Sequence, residues 1–314
     1  MFDINTSDIR FPNLGIVFHN VKEGISVFGF EIKFYGMIIA FGFLLAYFIV
    51  SREAKRTGQN EENYLDLILW LIVPAIVGAR LYYIIFSPGE FFVKGRGLGK
   101  TLLAMINIRN GGLAIYGGVI AGFTVAYIFC KKKKLSFALI SDTAVMGILV
   151  GQILGRWGNF FNREAFGEYT DSLFSMCIPV DYFNGNGSLR GLTNSGIITQ
   201  TMLDNTKLID GMQWISVHPT FLYESLWNLG LLIVIIIYRK HKKFDGELAL
   251  MYAWGYGLGR VWIEALRSDS LMLPGGFMRV SQLIAAICVL TCSILIVRMR
   301  MKQTKPVKSK AKEE

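Results

Sequence analysis

The sequence predicts an all-α polytopic membrane protein: a bundle of about seven transmembrane helices, N-out/C-in, with a small outer head domain between helices four and five. Three observations carry that expectation. Of the 314 residues, 53% are hydrophobic and only 18% are charged, against roughly 25% charged in soluble domains. The apolar residues collect into runs of about the 20 residues that one crossing of the hydrocarbon core requires. Finally, the net charge of +10 resides in short basic runs between those stretches. In a soluble chain it would suggest nucleic acid; here it marks membrane-flanking loops, and no nucleic-acid partner is expected.

Taken in order, residues 1–33 form an outward N-terminal arm of mixed composition, unlike a cleaved signal peptide. Within residues 34–155, the runs Phe34–Val50, Tyr64–Phe86, Leu113–Cys130 and Phe137–Leu154 supply four spans. Residues 156–220 are rich in Asn, Gly, Ser and Thr, and Asn184-Gly185-Asn186-Gly187 is a turn signal. They are expected to make a head of loops and short strands. Within residues 221–297, Phe221–Tyr238, Leu248–Ile263 and Val280–Val297 supply three more spans. The remaining residues, 298–314, read as a disordered basic cytoplasmic tail on an anionic inner leaflet.

All the spans must be helices, because a lone strand in lipid leaves its backbone unpaired. Orientation follows from basic flanks. Arg52, Lys55 and Arg56, Lys131 to Lys134, Arg239 to Lys243 and the tail fall on one side, although Lys94, Arg96, Lys100 and Arg109 lie on the other. The four cysteines (Cys130, Cys177, Cys288, Cys292) form no C-x-x-C, and His19, His218 and His241 are far apart in sequence. No disulfide framework, metal or cofactor is expected.

That topology brings polar residues from five stretches to one depth, near the outer head groups: Tyr35; Gly111 to Gly118 with Tyr116; Gly155-Arg156-Trp157-Gly158-Asn159; His218 to Glu224; and Arg260, Glu264 and Arg267. Ionisable groups in spans are costly and mark function by default. Arg260, Glu264 and Arg267 stand at i, i+4 and i+7, one helical face. They form either a solvated ion-pair face or an anion site in which Glu264 holds guanidiniums whose planar forks match phosphate oxygens. Arg156 between glycines adds a third fork, and an anionic phospholipid head group is the natural guest. Glu224, inside its span, needs a partner such as an arginine. Tyr35 and Tyr116 are interfacial belt residues or ligand contacts, and His218 caps a helix or serves the site. Arg80 and Asp142 are expected to be structural, and Cys288 and Cys292 to be packing residues.

The run Gly111 to Gly118, the stretch Gly155 to Asn162, His218-Pro219-Thr220-Phe221-Leu222-Tyr223-Glu224, and Gly259-Arg260 with Glu264 and Arg267 together resemble the bacterial prolipoprotein diacylglyceryl transferases. The resemblance runs from Tyr35 to Arg267. It implies transfer of a diacylglyceryl group from phosphatidylglycerol to the lipobox cysteine in the signal peptide region of a prolipoprotein, at the outer leaflet of the bacterial cytoplasmic membrane, with no cofactor. It also implies that Arg156, Asn159, Arg260, Glu264 and Arg267 bind phosphatidylglycerol, and that Tyr116, Tyr35, Arg260 and His218 serve the chemistry. Many family members carry histidine where this chain has Tyr116. A non-enzymatic seven-span lipid transporter or anion channel is the rival reading. A pathway, however, should place polar residues through the full depth of the spans, whose inner halves are nearly all apolar.

Overall fold

The computed structural model describes residues 6–93, 95–108, 111–185, 191, 193, 196–268 and 278–304. In chain order its elements are β1 (Ile9–Phe11), β2 (Ile16–Phe18), β3 (Gly24–Val27), β4 (Phe30–Lys33), α1 (Phe34–Arg56), α2 (Glu62–Phe86), α3 (Pro88–Phe91), α4 (Leu98–Ile106), α5 (Ile115–Lys133), α6 (Phe137–Asn162), β5 (Met176–Pro179), α7 (Val180–Gly185), α8 (Gln200–Asp204), β6 (Lys207–Ile209), β7 (Met212–Val217), α9 (Thr220–Tyr238), α10 (Glu247–Leu266) and α11 (Val280–Thr304). The chain is mostly helical with a small sheet region, as a polytopic membrane protein requires. Among the described residues, five helices are long and apolar enough to cross a membrane: α1, α2, α6, α9 and α11. The two other runs expected to span are also helical, as α5 and α10, of 19 and 20 residues.

The chain divides into two compact units, Tyr47–Ala144 and the remainder, with both boundaries inside helices α1 and α6. In the Tyr47–Ala144 unit, α2 and α5 pack backbone to backbone. A Cβ on Gly78 would lie 2.7 Å from the Gly117 carbonyl oxygen, so only small residues allow this approach. Toward the other end of the pair, Val50, Tyr64, Leu67, Phe129, Cys130 and Ile140 form a buried core. Gln59 donates to the Thr143 hydroxyl at 2.9 Å, next to the buried Asp142. Lys131, Lys132 and Lys133 occupy the last turn of α5, where the helix dipole favours cations.

Arg80 is structural, as expected. It is buried on α2 and donates through Nε to Met105, through Nη1 to Gly111 and Gly112, and through Nη2 to Ala104 and Asn107, all backbone carbonyls at 2.7–2.9 Å. A guanidinium has five N–H groups. All five are committed to holding the connection between α4 and α5.

The other unit holds a five-stranded antiparallel sheet of order β2-β1-β5-β7-β6 and a separate hairpin, β3-β4. The strands expected in the head are present as β5, β6 and β7. The N-terminal segment joins them, because Arg10 of β1 pairs with Cys177 of β5. The pairing buries Ile9 and Phe11 against Ile178, Ile215, Val217 and Phe221, and the hydrophobic gain offsets the loss of chain freedom.

Two expectations need correction. Disorder was expected from Arg298 onward, yet α11 continues to Thr304. Arg300 is the reason: its guanidinium meets the fully buried Glu247 at 2.6 Å and donates to the Tyr238 hydroxyl at 2.6 Å. A charge buried without such a partner would be costly. Asn184 and Gly185, read as the start of a turn signal, instead close helix α7. Asn186 and Gly187, the basic positions Lys94 and Arg109, and the tail beyond Thr304 lie outside the described residues.

Candidate functional site

Helix α6 runs eight residues past the expected span end at Leu154, so Arg156 and Asn159 stand on its last turns rather than in a loop. The helix α9 begins just after Pro219 and carries Glu224 one turn in, fully enclosed. Helix α10 carries Arg260 and Glu264, and Arg267 caps its C-terminus in extended conformation rather than continuing the helical face. A backbone stitch fixes that end: the Gly167 N–H bonds the His218 carbonyl at 2.9 Å and the Glu168 N–H bonds the Leu266 carbonyl at 2.7 Å.

These three helix ends converge on one carboxylate. Glu224 Oε2 meets Arg156 Nη2 at 2.5 Å, and its Oε1 meets Arg260 Nη1 at 2.7 Å and Arg267 Nη1 at 3.7 Å. The second carboxylate, Glu264, pairs with Arg260 Nη2 and accepts the Ser281 hydroxyl at 2.9 Å. Three guanidiniums therefore gather on two carboxylates. Exposure decides what they can do. The Glu224 side chain is 3% exposed, whereas those of Arg156, Arg260 and Arg267 are 22%, 17% and 14% exposed. The acids are sealed inside and part of each fork faces outward, an arrangement suited to binding an anion.

Asn159 extends the cluster. It accepts from Arg156 Nη1 at 3.3 Å and donates to Glu164 Oε1 at 2.9 Å, which also takes Asn162 at 3.2 Å. Tyr35, in the first turn of α1, packs its ring on Gly158, where a Cβ would stand 2.3 Å from Tyr35 Cδ2. Thus Gly158 lets an aromatic ring reach the helix backbone two residues after Arg156. Tyr35 also lines a cavity of about 760 Å³ with Glu23, Lys33, Arg163, Glu164 and Tyr182. Burial would raise the Glu23 carboxyl, but bonds from Tyr182 (2.5 Å) and Lys33 (2.9 Å) bring it below the usual carboxylate range.

The remaining expected residues have neighbours of their own. His218 does not cap α9, whose N-cap is Pro219. Its Nδ1 faces the Tyr223 hydroxyl at 3.4 Å, and burial pushes its pKa below the ordinary imidazole value. Tyr116 stands in the first turn of α5, in the Tyr47–Ala144 unit, with its ring 6.3 Å from that of Tyr82.

Sequence reasoning gave the central place to Glu264, but the hub is Glu224. The signal was present, since a carboxylate one turn inside an apolar helix demands a counter-charge. Glu164 and Ser281 carried no such signal: neither is part of an apolar periodic run interrupted by a charge.

The family described as prolipoprotein diacylglyceryl transferase matches residues 23–298. Similar curated proteins are phosphatidylglycerol–prolipoprotein diacylglyceryl transferases. That of Finegoldia magna is 37% identical over 280 residues, covering 89% of this chain and 96% of its own. The one from Clostridioides difficile is 34% identical over 269 residues, covering 86% and 91%. The Bacillus mycoides protein is 38% identical over 275 residues, covering 87% and 90%.

Proposed function

We propose that this chain, which belongs to the prolipoprotein diacylglyceryl transferase family, moves the sn-1,2-diacylglyceryl group of phosphatidylglycerol onto the lipobox cysteine thiol of prolipoproteins. The thiolate sulfur attacks the glyceryl carbon that bears the phosphate. A thioether C–S bond forms, the C–O bond to phosphate breaks, and glycerol phosphate leaves with the electron pair. It is a transferase of lipoprotein biosynthesis.

The observation that carries this reading at the level of residues is the Glu224-centred cluster, with three partly open guanidiniums. Arg156, Arg260 and Arg267 bind the lipid phosphate, Asn159 orients Arg156, and Glu264 orients Arg260. As the C–O bond breaks, negative charge grows on the departing phosphate, where preorganised donors act most strongly. Tyr35 or Tyr116 accepts or relays the thiol proton. His218, kept neutral by burial, helps the outer head guide the signal peptide so that its cysteine meets the lipid in line.

The same reading places seven spans in the bacterial cytoplasmic membrane, N-terminus out and C-terminus in, with an arm before the first span and a head between the fourth and fifth. The site then faces the outer leaflet. The basic last turns of α1 and α5 and the Arg300 end of α11 support this orientation. Nothing beyond the same arginines favours a transporter.

The test mixes purified protein, phosphatidylglycerol and a lipobox-bearing peptide, and records the peptide mass. One diacylglyceryl added, and none when the peptide cysteine is serine, supports the reaction. Undiminished transfer by the Arg156→Ala variant would overturn the assignment of the phosphate site.

A further inference from the structure

In the connection between α2 and α5, helix α4 turns its apolar face away from the protein. Leu98, Leu102 and Ile106, at i, i+4 and i+8, are 82%, 53% and 75% exposed, while Thr101, flanking that stripe, is buried. A helix covering a soluble core shows the reverse pattern. Phe92 and Val93, just before it, are exposed as well. The helix has no freedom to roll its leucines inward, because the Arg80 guanidinium grips the carbonyls of Ala104, Met105 and Asn107 at its C-terminal end.

Cations border this apolar face. A cavity of about 390 Å³ beside it is lined by Arg80, Tyr83, Glu90, Arg96, Lys100 and Asn107, among others. Its carboxylate, Glu90, is occupied by the Tyr83 hydroxyl at 2.8 and 2.9 Å. Arg80 has no donor left. Arg96 commits Nη1 to the Glu90 carbonyl at 3.0 Å, and Lys100 has no hydrogen bond or ion pair among the described residues. Three cations to one carboxylate, with donors still open on Arg96 and Lys100, complement an anion. The neighbouring leucines complement acyl chain. Only an anionic lipid at the bilayer surface offers both together.

We propose that α4 is an in-plane helix that holds anionic phospholipid, its leucines in the acyl boundary and Arg96 and Lys100 at the phosphate. This rests on the chain being a multi-pass membrane protein, and not on the transfer chemistry. It is a surface site for lipid, built wholly within the Tyr47–Ala144 unit.

The test needs no turnover. Cys130, Cys177 and Cys292 are buried and Cys288 is half-buried, so a thiol-reactive bimane labels an added exposed cysteine, with unsubstituted protein as control. Leu102→Cys, Ile106→Cys and Lys100→Cys are labelled singly and reconstituted in vesicles. Brominated acyl chains should quench the labels at 102 and 106, and aqueous iodide the label at 100. Brominated phosphatidylglycerol should quench position 102 more than brominated phosphatidylcholine at equal mole fraction, by up to about fivefold per basic residue. Arg96→Gln with Lys100→Gln should abolish that difference. Iodide reaching 102 and 106 as readily as 100 would overturn the in-plane helix. Equal quenching by the two lipids would overturn the anionic preference. Either result leaves the transfer reaction standing, since that is read by peptide mass.

Discussion

The two units use the same side chain, arginine, for opposite ends. Arg80 donates all five N–H groups to backbone carbonyls and is 8% exposed. Arg156, Arg260 and Arg267 instead share two sealed carboxylates and stay partly open. Both sets stand near ends of apolar helices, so position along a helix does not separate them. What separates them is the donor inventory. A guanidinium whose partners are all neutral carbonyls is a brace, whereas one held by a carboxylate with donors to spare can take an anionic ligand.

The largest expected effect tests the open set. Arg260→Ala removes the fork that spans Glu224 and Glu264. Transfer to the lipobox peptide should fall by about 10²–10³-fold, the usual loss when one preorganised donor to a developing anion is removed. Arg260→Lys should recover little, because a point charge cannot engage both carboxylates in the plane. Wild-type rates in Arg260→Ala would show that this cluster, like Arg80, is only a brace.

The converse variant is Arg80→Ala, which leaves five carbonyls around residues 104–112 without their donor. Loss of about 3 kcal/mol of stability is expected, read as a lowered thermal midpoint in detergent. Turnover per folded molecule should stay near wild type. If turnover instead fell by orders of magnitude in folded protein, the distinction between brace and binding site would fail.

The legible part of the molecule was the part governed by local rules. Every expected apolar run is a helix, because desolvated backbone in lipid has no other local way to pair. The glycine-flanked Arg156 and the Arg260–Glu264 spacing pointed to one site for the same reason: the signals sit within a helical turn or two. The rest depends on partners far apart in sequence. Nothing in Ile9–Phe11 announces that it will pair with Met176–Pro179, a contact across more than 160 residues. Nor could spacing show that Glu224, and not Glu264, would gather three arginines from two other helices. Arg300 escaped notice because its partner, the fully buried Glu247, lies at the start of a different helix. The outward leucines of α4 were invisible to periodicity alone, which gives a face but not what the face looks at.

A smaller effect grades the two acids of the open set. Glu264→Gln keeps an acceptor for Ser281 but removes one charge opposite Arg260. Arg260 remains paired to Glu224, so a loss of about tenfold in transfer is expected, within the range of a charge-assisted bond. Glu224→Gln should cost more, because it releases three arginines at once. The reverse ranking would return the hub to Glu264, where the sequence had placed it.

The smallest effect concerns His218, which stands in the same unit but outside the arginine network. Burial lowers its pKa beneath the ordinary 6.5, so the folded protein favours neutral imidazole and the unfolded chain binds the proton more readily. The sign follows from proton uptake. The stability contributed is fully present above the unfolded-state value near 6.5 and is lost as pH falls from there through the lower folded-state value. His218→Asn should therefore flatten the decline of the thermal midpoint between pH 6.5 and about 5, while leaving the phosphate-dependent part of turnover in place. Were the same substitution to erase lipid binding, His218 would belong with the open arginines, and their boundary as a self-contained anion site would have to be redrawn.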